Sequence, residues 1–139
     1  MKKGFEDAFS DVQSEIVSLC LEYAEGKAEK IFVYIYRTDT MRMFNAFFKS
    51  EGKILAASQL PSTCSDDEFT DVGRNDISKI EEVCREYDAQ IPNELKLYYD
   101  VITHKFHAEI SYEDYSVKGK VTPFEVFMAW LRKEKNDNK

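Results

Sequence analysis

Residues 30–37 read Lys-Ile-Phe-Val-Tyr-Ile-Tyr-Arg. β-branched and aromatic side chains at this density favour an extended backbone. Successive side chains of a strand point to opposite faces, so Ile31, Val33 and Ile35 point one way and Phe32, Tyr34 and Tyr36 the other. Both sets are apolar. A strand with no polar face must be covered on both sides, and the segment is predicted to be a central strand. The rest of the chain has to supply its neighbours and its covering layers.

Neighbours are written on either side of it. Thr38-Asp39-Thr40 make a short turn into a second strand, Met41 to Lys49, which carries Met43, Phe44, Phe47 and Phe48. Ser50-Glu51-Gly52-Lys53 reads as a hairpin turn with Gly52 at positive φ. Ile54 to Leu60 form a third strand that Pro61 stops. Further on, Glu94 to Thr103 alternates Leu95, Leu97, Tyr99 and Val101 against polar or amphipathic positions. Its hairpin partner runs from Phe106 to Tyr112, with Phe106, Ala108, Ile110 and Tyr112 on one face.

The covering layers are helical. Over 5–25, Phe5, Phe9, Val12, Ile16, Leu19, Cys20 and Tyr23 recur at steps of three and four, with acidic and polar residues opposite and Gly26 at the end. Over 76–88 the stripe is Ile77, Ile80, Cys84 and Tyr87, with Asn75 or Asp76 as the cap. Over 123–135 it is Phe124, Phe127, Met128 and Leu131, with Trp130 beside it, after a Thr122-Pro123-Phe124-Glu125 start. Residues 61–75 are read as an acidic loop and 136–139 as a frayed tail. The expectation is one α+β domain over 1–139. Its elements run α-β-β-β-α-β-β-α, and its five strands form a largely antiparallel sheet with flanking helices. Val33, Ile35, Phe9, Ile16, Ile80, Phe127 and Ile110 are expected in the core.

Composition limits what such a domain does. The net charge is −7 and the isoelectric point about 4.9. Direct nucleic-acid binding needs a clustered positive field and is not expected, whereas an acidic field attracts basic partners. Cys20, Cys64 and Cys84 are odd in number and far apart, forming neither a disulfide framework nor a metal knuckle. Met1-Lys2-Lys3-Gly4 is followed by no apolar run, and no stretch approaches a membrane span, so the cytoplasm is the expected compartment and no membrane partner is expected.

Residues for catalysis do not assemble into a pattern. The five glycines are scattered singly, which excludes a Gly-rich phosphate loop. His104 and His107 straddle a turn and a strand and are expected to point to opposite faces, exposed rather than metal-ligating. No catalytic residue, cofactor or metal is assigned. Two acidic patches stand out instead. One is Asp66, Asp67, Glu68 and Asp71; the other is Tyr112, Glu113, Asp114 and Tyr115. Aromatic rings beside carboxylates suit a protein interface, the ring giving area and the acids meeting Lys or Arg. Tyr115 is the candidate anchor, Tyr112 the weaker one.

The run Phe106-His107-Ala108-Glu109-Ile110-Ser111-Tyr112-Glu113-Asp114-Tyr115, the following Trp130 helix, the Lys30–Tyr36 strand and Leu60-Pro61 before an acidic segment resemble the YezG/EsaG-like antitoxin (immunity) proteins of bacteria. The turn at Thr103-His104-Lys105 lacks the Asp and Gly usual there. The resemblance implies a cytoplasmic protein that binds and neutralises a cognate toxin, commonly a nuclease domain, whose basic surface an acidic protein complements. Another non-catalytic adaptor or regulatory subunit is the alternative, and a small enzyme using scattered carboxylates or Cys64 a third. The toxin, its reaction, the oligomeric state and the strand order are left open by the sequence.

Overall fold

Every residue from Ile31 to Arg37 is buried, and the strand that holds them, β1 (Lys30–Arg37), is the middle of the sheet. The computed structural model describes residues 4–113 and 122–137. Four further strands are β2 (Arg42–Ser50), β3 (Lys53–Ala56), β4 (Glu94–Asp100) and β5 (Phe106–Ser111), in the order β3-β2-β1-β4-β5. All pairings are antiparallel. Among the described residues the helices are α1 (Phe5–Ala24), α2 (Asp66–Glu86) and α3 (Pro123–Asp137). Fold class and element order are those expected.

The alternation of β1 divides the core in two. Ile31, Val33 and Ile35, with Phe44, Ala46, Phe48, Leu95 and Leu97, lie under α1 and α2, which contribute Phe9, Ile16, Tyr23, Phe69, Ile77 and Ile80. Phe32, Tyr34, Tyr36, Phe47 and Ile54 lie under Phe127 and Leu131 of α3. Phe32 and Phe47, paired across the β1–β2 ladder, stack at 4.4 Å. Trp130 meets both rings edge-on, at 5.7 and 5.1 Å. The domain is therefore three layers thick, as a two-faced central strand requires.

Local chemistry sets the element ends. Glu51 and Gly52 both have positive φ, 51° and 78°, as a two-residue hairpin needs. Asp100 ends β4 by accepting the Ile102 and Thr103 N–H groups at 2.9 and 3.1 Å. Thr122 accepts the Glu125 N–H at 3.2 Å, and Pro123 takes the first position of α3.

The structure departs from the sequence reading in several places. Helix α2 starts at Asp66, ten residues before the expected 76, so the acidic segment is its first two turns and the loop ends at Ser65. The Ser65 side chain accepts from the Asp67 and Glu68 N–H groups, and Asp66, Asp67 and Glu68 face the positive end of the helix dipole. β3 stops at Ala56 and gives way to a 3-10 turn, Ala57–Gln59. β4 ends at Asp100, short of Thr103. Asn136 and Asp137 continue α3 rather than fray. Ile110 is 42% exposed, not buried, because β5 is the outermost strand and the helices centre on the inner ones. Phe124 is exposed as well, at the rim of a groove it shares with Phe127, Phe69 and Asp66.

One buried polar cluster ties these layers together. Arg37, at the end of β1, has a side chain only 4% exposed; Glu81 of α2 is 3% exposed. Arg37 Nε meets Glu81 Oε2 at 2.7 Å, and Arg42 Nη2 of β2 meets Oε1 at 2.5 Å. Arg37 also donates to the Pro92 carbonyl at 3.2 Å and the Asp39 carboxylate at 3.2 Å. Burial opposes ionisation of Glu81, yet the hydrogen bonds and charges of Arg42 and Arg37 outweigh it and hold its carboxyl below the ordinary range. A depressed carboxyl contributes stability that is present above its unfolded-state pKa and lost as pH falls through the folded one.

Two substitutions test this architecture. Glu81→Ala leaves the Arg37 guanidinium buried without its partner and is expected to cost about 3–5 kcal/mol. Urea melts at falling pH should show a shallower acid loss for the variant than for the parent. Phe127→Ala removes the ring that docks α3 and is expected to cost about 3–5 kcal/mol; a loss under ~1 kcal/mol would mean that α3 does not hold the second core.

Candidate docking surface

α1 and α2 pack as an antiparallel pair. Tyr23 near the end of α1 stacks on Phe69 at the start of α2 at 4.3 Å, and Phe5 meets Tyr87 at the other end at 5.9 Å. Their inner stripes go to the core, so their outer faces form one side of the domain. On α1 that side carries Glu6, Asp7, Asp11, Glu15 and Glu22, and the helix holds no Lys or Arg. On α2 it carries Asp66, Asp67, Glu68, Asp71, Glu82 and Glu86, against Arg74, Lys79 and Arg85. Counted with the buried Asp76 and Glu81, the two helices are more negative than the −7 of the whole chain, and the other described residues are close to neutral. The acidity read from composition thus belongs to one layer.

Within the layer some carboxylates are engaged. Asp66 accepts from the Tyr23 hydroxyl, which also reaches the Ala57 carbonyl at 2.7 Å. Burial of that hydroxyl, then the hydrogen bond and charge of Asp66, push the Tyr23 phenol up. Lys79 bridges Glu15 at 2.8 Å and Asp76 at 3.4 Å. Burial raises the Asp76 carboxyl and nearby Glu15 adds to it, against the pull of Lys79. Asp71 lies 3.6 Å from Arg74 and lines a polar groove of about 510 Å³ with the Thr38–Arg42 turn. Asp67 and Glu68 are exposed at the helix start.

The second patch lies elsewhere. Tyr112, 50% exposed, and Glu113 follow β5, whereas Asp66 sits over the β2–β3 side. Tyr112 and Glu113, the described members of the second patch, thus lie on the other side of β1 from Asp66. Asp114 and Tyr115 fall outside the described residues.

Cys20 and Cys84 are buried, and burial pushes both thiols up, away from nucleophilic use. Cys64 is exposed. His104 accepts or donates to the Tyr99 hydroxyl at 2.8 Å. His107 lies 3.7 Å from Glu109 and lines a groove of about 690 Å³ with Tyr98 and Trp130. Among the described residues no three His, Cys, Asp or Glu side chains are grouped to hold a metal, and no helix is long and apolar enough to cross a membrane. The acidic outer face of α1 was missed as a binding candidate, although the absence of any Lys or Arg from 5–24 was there to be seen.

The chain matches no protein-family model and no curated protein.

The start of α2 gives a test of how much of the first patch serves the helix itself. Ser65→Ala removes the acceptor for two N–H groups and is expected to cost about 1 kcal/mol in a urea melt. An unchanged midpoint would mean that the Ser65 cap does not hold the helix start.

Proposed function

We propose that this chain is a protein-binding module of the immunity type. It neutralises a toxin domain in the cytoplasm, and its partner is a basic nuclease domain that docks on the acidic α1–α2 layer. The observation that carries this reading is the concentration of negative charge on that one layer, the other described residues being close to neutral. The resemblance to the YezG/EsaG-like proteins supplies the kind of partner. Carboxylates so arranged complement a nucleic-acid-binding groove and act mainly on the rate of encounter. Exposed Tyr112 and half-buried Glu113 make a separate contact region at the β5 end.

The test is co-expression with the neighbouring toxin gene, scored for survival and co-purification, followed by binding kinetics of paired charge reversals. Asp66→Lys with Asp67→Lys is expected to lower the association rate by about tenfold at low salt, with the difference shrinking at high salt. The reversal Glu113→Lys with Asp114→Lys reads the second region separately. If the α2 pair binds and protects as well as the parent, the acidic layer is merely solvated and this reading fails.

A further inference from the structure

The two edges of the sheet are treated differently. β3 is four residues long, carries Lys53, and pairs beneath α3. Short strands and lysines blunt an edge against unwanted pairing. β5 is six residues long, Phe-His-Ala-Glu-Ile-Ser, with neither Lys nor Pro. Its Phe106 and Ile110 are 44% and 42% exposed.

The backbone of β5 has a definite polarity. In an antiparallel ladder, residues that exchange hydrogen bonds with one neighbour alternate with residues that turn their N–H and C=O the other way. The Asp100 N–H donates to the Lys105 carbonyl at 2.9 Å, and the register continues as Tyr98 with His107 and Lys96 with Glu109. Lys105, His107 and Glu109 therefore turn their main-chain groups towards β4. Those of Phe106, Ala108 and Ile110 point off the sheet.

We propose that β5 pairs with β5 of a second copy of this chain, antiparallel about a twofold axis through Ala108, so that one sheet runs through both protomers. Pairing must bring the outward groups of the two strands together, which restricts the register to alternate steps. With Ala108 opposite Ala108, Phe106 meets Ile110 on the α1 face and His107 meets Glu109 on the α3 face, each pair occurring twice by symmetry. One permitted step to either side sets His107 opposite itself or Glu109 opposite itself. The favoured register matches apolar with apolar and imidazole with carboxylate, and its nearest competitors set like against like. The groove between α1 and β5, lined by Ser10, Ser14, Val17, Leu21, Tyr99 and Phe106 among others, contains no charged side chain. Glu15 is turned the other way, towards Lys79 of α2. The acidic layer therefore stays clear of this pairing, and the inference stands independently of the proposed toxin partner.

Sedimentation equilibrium of the full chain across the micromolar range tests it. The parent is expected to show a monomer–dimer equilibrium. Ala108→Pro removes an N–H that the protomer's own ladder does not use, so the variant is expected to keep its circular dichroism spectrum and sediment as a monomer. His107→Glu sets carboxylate against carboxylate twice and is expected to weaken the dimer about tenfold. Exchanging the pair, His107→Glu with Glu109→His, is expected to restore it. If Ala108→Pro does not fold, the charge series decides alone. A parent that is monomeric throughout, a dimer that persists in folded Ala108→Pro, or an exchange that does not recover association would each overturn the pairing.

Discussion

Arg37 must be buried and must stay charged, and the rest of the structure is arranged around that fact. A guanidinium does not shed its proton in a protein, and a side chain with 4% exposure has little water to lean on. Glu81, Asp39 and the Pro92 carbonyl take its hydrogen bonds. The Arg37 N–H goes to the Asn93 carbonyl at 2.7 Å, and the Asn93 side chain returns to the Arg37 carbonyl at 3.0 Å. The cluster thus joins β1, β2, α2 and the connector into β4. An apolar replacement could be as stable, but it would not mark a register. A slide of α2 along the sheet would carry Glu81 away from both arginines at once. Gly73 adds a second constraint, because a Cβ there would overlap the Phe44 ring. The helix is held along its axis by charge and at its distance from the sheet by the absence of a side chain.

The same residues explain what could be read in advance. β1 was legible because its two-faced apolar pattern has one physical solution. α3 announced itself through Thr122 and Pro123, and the Glu51-Gly52 turn through its glycine. The first half of α2 was not legible by periodicity. Over 66–75 its buried positions are Phe69 and Gly73 alone, so only one apolar side chain marks the inner face there. The capping signature Ser65-x-x-Glu68 was present and outweighed by the acidic, loop-like composition. Ile110 misled for a different reason. Alternation says which way a side chain points but not whether its strand is central or outermost, and only the β3-β2-β1-β4-β5 order settles that. The distance of Tyr112 from Asp66 depends on the same non-local information.

The architecture also keeps its surfaces apart. The apolar content of both faces of β1 goes entirely to two cores, leaving the outer side of α1 and α2 for charge. β5, beyond the reach of full helical cover, keeps apolar side chains at a strand edge. One surface suits electrostatic contact and the other backbone pairing. They share no side chain, so a change at one leaves the other intact.

Because most of the negative charge lies on one side of the sheet and the other described residues are close to neutral, the described part of the molecule carries an electric moment directed across its layers. A cationic body that approaches from the α3 side exerts a torque before it makes contact. The domain is turned until α1 and α2 face the visitor, and within a Debye length of roughly 8 Å at physiological ionic strength that rotation competes with tumbling. The three-layer stack, built to cover a strand with no polar face, thereby gives the molecule a front and a back.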